Sequence, residues 1–145
     1  KRAIYLQALA GYWELQLVAM RKALDGDQAL ETVLMRVYDA ALAIYFSGDG
    51  PARGCFVVGT AITEAVDDPE VRRSVMDGFR TLDTRFEARL RRARDSGELD
   101  SDADPTALAL LATAPLHTLA LRARAGTSRK ELRKLASKAT GVICG

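Results

Sequence analysis

Apolar residues recur at intervals of three and four along nearly the whole chain, and the sustained alternation that a half-buried strand needs is scarce. The pattern predicts an all-α fold, a bundle of about six helices. In the first segment Leu6, Leu9, Trp13, Leu17, Met20 and Leu24 keep the helical interval, predicting a helix from about Arg2 to Leu24 that Asp25-Gly26-Asp27 stops. A second helix, from about Gln28 to Phe46, carries Leu30, Val33, Leu34, Val37, Tyr38, Ala41 and Tyr45 toward the interior. Ser47-Gly48-Asp49-Gly50-Pro51 breaks it.

The run from Arg53 to Val66 is nearly uncharged and rich in β-formers, with Cys55, Phe56, Val57, Val58 and Ile62. Ala52 to Val66 exceeds the usual strand and has no internal turn signal, so it is read as a helix, apolar all round and placed centrally. Gly54 and Gly59 are expected to let neighbours approach closely. Asp68-Pro69-Glu70 supplies a capping carboxylate, a first-turn proline and an early acid for a long helix from Pro69 to Ser96. Its apolar positions are Val71, Val75, Phe79, Leu82, Phe86, Leu90 and Ala93, with arginines spread over the rest. Asp104-Pro105 opens an Ala/Leu-rich helix to Ala125 in which Pro115 predicts a kink. Ser128 and Glu131 then form the capping box of a last helix.

Composition narrows the function classes. The 145 residues are 48% hydrophobic, enough for one domain with a real core, and the net charge of +2 gives no global field of the kind nucleic-acid or membrane binders carry. The two cysteines, Cys55 and Cys144, make no disulfide scaffold and no zinc spacing, and fit a reducing cytoplasm. Gln7, Glu14 and Gln16 make the first helix amphipathic rather than a signal peptide or membrane span. His117, the one histidine, lies in the Ala/Leu helix with no glycine-bounded nucleophile near it, so no catalytic site is expected, nor any metal or cofactor. The glycines match neither nucleotide fingerprint. Asp83 with Glu87 and the basic segment Ser128–Lys134 read as solvated helix faces. Cys55 as a redox sensor would need an activated, accessible thiol, and its apolar surroundings argue against one.

What remains is the interior. Trp13, Gln16 and Met20 on the first helix, Met35 and Tyr38 on the second, and Phe56, Thr60 and Thr63 on the central one are the expected lining of an apolar ligand cavity with a few polar handles. The alternative is that they merely fill the core of a helical interaction module without a small-molecule site.

Four pieces in order, Arg53-Gly54-Cys55-Phe56 through Glu64, Asp68 to Arg72, Gly97-Glu98-Leu99 followed by Asp104-Pro105, and Ala123 to Arg129, together resemble the effector-binding domain of TetR/AcrR-type transcriptional regulators over essentially the whole chain. Lys1 to Tyr5 resembles the point where that family's DNA-binding head joins its first effector-domain helix. The resemblance implies one effector-binding and dimerisation domain over residues 1–145. The helix-turn-helix is expected to be missing from these residues, as in a fragment. It further implies a cytoplasmic repressor domain that homodimerises, binds a small apolar or aromatic effector, and meets operator DNA only through the missing head. The implied seam is a bundle of the two long helices, with Leu108, Leu111, Ala112, Pro115 and Leu119 as its contacts and His117 nearby.

Overall fold

The computed structural model describes Lys1–Gly145 and is wholly helical. Helices α1 (Arg2–Leu24), α2 (Leu30–Tyr45), α4 (Pro69–Asp95) and α5 (Pro105–Arg124) lie within two residues of the boundaries the pattern predicts, and α6 (Arg129–Cys144) opens after Ser128 as expected. Between them a π-helical turn, Val57–Ala61, continues into the short α-helical turn Ile62–Glu64; together these are α3.

Local chemistry explains the boundaries. Asp68 accepts hydrogen bonds from the amides of Glu70 (2.9 Å) and Val71 (3.2 Å), Asp104 from those of Thr106 (3.0 Å) and Ala107 (3.2 Å), and Ser128 from that of Glu131 (3.2 Å). Each satisfies donors that the first turn of a helix leaves open. α2 sits at the centre, packed on α1, α5 and α6, while α4 lies along α5 and against α1. Tyr38 and Tyr45 of α2, both fully buried, donate to the carbonyls of Ala112 (2.7 Å) and Leu116 (3.2 Å) on α5. They grip α5 on either side of Pro115, where the ring removes one amide from the ladder, and the helix runs through the proline unbroken. By length and mean hydropathy α5 alone passes for a membrane span; here it buries Ala109, Ala112, Leu116, Leu119 and Ala123 within the bundle.

Two readings need correction. Ala52–Cys55 is not helical: Gly54 takes φ +67°, donates to the Tyr45 carbonyl (3.3 Å), and helix begins only at Phe56. Nor is α3 buried all round. It keeps Val57 and Ala61 inside but exposes Thr60, Ile62, Thr63 and Glu64, so it covers a flank of the bundle instead of running through it. Burial of a short apolar run depends on what packs against it, which the run itself does not encode.

Candidate ligand-binding site

The loop from Ser47 to Cys55, the π turn, the middle of α1 and the last turn of α5 converge on an open cavity of about 520 Å³. Its apolar wall is Leu15, Ile44, Pro51, Ala52 and Phe56. Glycine makes the convergence possible. A Cβ on Gly54 would lie 2.7 Å from the Ala120 carbonyl oxygen, so the loop approaches α5 as only bare backbone can, while one on Gly59 would meet the tip of the Arg124 side chain at 2.6 Å and push it aside. A π turn inside a helix is uncommon and recurs at binding sites, because it re-aims side chains that a regular ladder would not present.

Polar groups are few. Tyr12 stacks obliquely on Phe56 (ring centroids 5.8 Å), and Tyr5 does so from about two turns earlier in α1 (5.4 Å). The Tyr5 hydroxyl is 3.2 Å from Thr60 Oγ1, which itself donates to the Phe56 carbonyl (3.1 Å). The Tyr12 hydroxyl is buried without a hydrogen-bond partner. Burial, with the neighbouring Cys55 and Tyr45, pushes its phenol well above the ordinary value, so it stays a neutral donor at any physiological pH. Cys55 is itself buried and lines the cavity. Arg53 and Arg124 complete the lining, and no Asp or Glu belongs to it.

Of the residues expected to line a cavity, Phe56 and Thr60 do so. Trp13, Gln16, Met20 and Tyr38 lie in the core, Met35 is half-buried beside Thr140 of α6 (Oγ1 to Sδ 3.4 Å), and Thr63 faces solvent. Helical spacing places a side chain on the inner face but does not separate filled interior from cavity wall. Among the expected seam residues Leu111 is exposed and Leu108 and Pro115 are half-buried, whereas Ala112 and Leu119 are fully buried within the chain, out of a second subunit's reach. α5 is apolar on all sides, so its period did not say which side this chain would cover. His117 packs edge-on against Phe79 (5.4 Å), and burial lowers its pKa despite Asp83, keeping it neutral near pH 7. No three His, Cys, Asp or Glu side chains come together as a metal site.

Residues 32–139 match the Tetracyclin repressor-like, C-terminal domain. The chain belongs to that family. This TetR-type domain is 27% identical over 110 residues to the uncharacterized HTH-type transcriptional regulator YezE of Bacillus subtilis (strain 168), covering 75% of this chain and 56% of that protein. The chain therefore spans little more than half the length of this relative. It also superimposes on the TetR family transcriptional regulator CifR, solved as a cysteine mutant with 26-bp double-strand operator DNA: TM-score 0.77, 26% identity, 97% of this chain and 73% of that one. A putative TetR-family regulator from Rhodococcus sp. shares the fold at TM-score 0.72 and 19% identity, over 97% of this chain and 73% of its own. The relatives of this TetR-type domain are transcriptional regulators and not enzymes.

Proposed function

We propose that residues 1–145 form a single ligand-sensing and dimerisation domain of a cytoplasmic TetR-family repressor, which a small, largely apolar effector releases from DNA. The observation that carries the ligand role is the cavity, because it joins α1 to α3 and α5 through a loop and a π turn rather than through close-packed helix faces. An effector there bears on α1 directly, and a preference for one arrangement of about 1–3 kcal/mol changes affinity at a coupled site roughly 5- to 150-fold. Operator contact belongs to a head outside these residues.

Two such domains pair through the exposed apolar row of α5, Leu110, Leu111 and Leu121, continued on α6 by Leu135 and Val142. Leucines 54–68% exposed on one face of a helix are what a helix pair from a second copy would cover. Native mass spectrometry of the gently purified chain is expected to show a dimer, with an apolar molecule co-purifying, and Leu110→Glu with Leu121→Glu to convert it to monomer. A chain that is strictly monomeric and ligand-free overturns this reading in favour of a helical interaction module.

A further inference from the structure

We infer that the molecule taken up by this cavity is an apolar body ending in a carboxylate, read by Arg124 and Arg53 together with the Tyr12 hydroxyl. The inference rests on the ligand-binding role proposed above and adds the chemical class.

The hydrogen-bonding inventory of the lining is one-sided. Arg2, Arg80, Arg89, Arg91, Arg94 and Arg133 each hold a carboxylate within the chain, and Arg72 and Arg92 donate to backbone carbonyls. Arg53 and Arg124 do neither, as is true of Arg21, Arg36, Arg73, Arg85 and Arg129 elsewhere, but these two line the cavity. The Tyr12 hydroxyl is a third polar group, buried beside the Cys55 thiol and the Phe56 backbone without a full hydrogen bond to either. The other hydroxyls are already engaged: Ser47 donates to the Ile44 carbonyl (2.7 Å) and Thr60 to that of Phe56. The cavity thus offers free donors, two of them cationic, and no carboxylate to compete for them.

Position argues against Arg124 being only a helix-end charge. A cation in the last turn of α5 is favoured by the helix dipole wherever its side chain points, and Arg122 answers that need while turning back to Thr118 (3.1 Å). Arg124 instead lies on the π turn at Gly59, so close that a Cβ there would collide with its Nη1. The guanidinium is exposed there and makes no hydrogen bond within the chain, so its planar fork is free to take a carboxylate bidentately. Leu15, Ile44, Pro51, Ala52 and Phe56 supply the opposite character, and 520 Å³ lies in the range of small-molecule sites. A purely apolar effector would make no use of these three groups.

Isothermal titration of the chain with octanoate, decanoate and 4-phenylbutyrate, each against its primary amide, tests this. At least one acid is expected to bind about tenfold more tightly than its own amide. Arg124→Gln should bring the acid to parity without changing the amide, with Arg53→Gln and Tyr12→Phe acting in the same direction. Both arginines are exposed, so neither change threatens the fold. Arg91→Gln, on the paired outer face of α4, should leave the preference intact. Equal binding of acids and amides, or a preference that survives Arg124→Gln, overturns the carboxylate inference while the ligand site stands. Failure of every acid and amide to bind more tightly than about 1 mM removes the site and the inference together.

Discussion

Gly78→Ala is expected to destabilise the chain by about 3 kcal/mol, at the upper end of what overpacking costs. In an ordinary helix interior the same change stabilises by about 0.5–1 kcal/mol, so the sign depends entirely on space. A Cβ at Gly78 would fall 2.2 to 2.5 Å from three carbons of the Trp13 indole, which therefore lies directly on the α4 backbone. The ring cannot simply swing aside, being 6% exposed and braced edge-on by Phe79 (6.1 Å, 89°). Either α1 moves off α4 or the indole leaves its rotamer. Urea unfolding followed by circular dichroism should show the loss, with a melting point lower by roughly 10 °C. In a Trp13→Leu background, where the ring is gone, Gly78→Ala should be neutral or stabilising, a coupling of about 2 kcal/mol or more. A neutral Gly78→Ala in the unaltered chain would show that the indole does not occupy this place.

Glu98→Ala should cost a similar amount, about 3 kcal/mol, for an electrostatic reason. Arg89 has a side chain only 3% exposed, and its guanidinium donates to Glu98 Oε2 (2.9 Å) and to the Gln28 carbonyl (3.0 Å). Glu98, just past the end of α4, also accepts the Leu30 amide at 3.0 Å, which opens α2. Removing the carboxylate strands a buried cation and uncaps a helix at once, and Arg89 Nε already lacks a partner. The pair also predicts a pH dependence. Arg89 foremost, then the Leu30 amide, hold the Glu98 carboxyl below its ordinary 4.5. A depressed carboxyl contributes its full stability above the unfolded value and loses it as pH falls through the folded one. Unfolding midpoints from pH 7 down to pH 3 should therefore fall more steeply for the native chain than for Glu98→Gln below about pH 4.5. Other acids, such as Asp68, lowered to about 2 by Arg2, act equally in both chains and cancel in the difference. Parallel curves would show the pair to be without effect.

The helices were legible because their signals are local. Asp68-Pro69 and Asp104-Pro105 each combine a capping carboxylate with a proline that needs no amide, and the 4-4-3 rhythm from Val71 to Ala93 has no strand reading. The candidate site was half legible. Phe56 and Thr60 stood out within an uncharged run, but Tyr12 and Arg124 did not. Tyr12 sits one position off the Leu9–Trp13–Gln16 stripe, and Arg124 resembles the basic residue that ends many helices. What brings them together is non-periodic: a left-handed backbone at Gly54, a π turn, and contact across Gly59. The available clue was the pair Gly54 and Gly59 itself, read as places where another element comes close.

The ion pairs of Arg2 have a mechanical meaning. Lys1 to Ile4, Gln7 and Ala8 are exposed, so the first two turns of α1 overhang the bundle, held by Arg2 to Asp68 (2.8 Å) and Glu70 (2.7 Å) and by the Tyr5 contacts to α3. From Leu9 onward the helix is anchored in the core through Leu9, Trp13, Gln16, Met20, Ala23 and Leu24, and Tyr12, within that stretch, forms part of the cavity wall. At about 1.5 Å per residue, Arg2 stands roughly 10 Å beyond Leu9, so a 5° bend at the edge of the core carries Arg2 through about 1 Å. α1 is in this sense a short arm, fixed in the core at one end and latched to two carboxylates at the other, with the cavity wall at the edge of its fixed part.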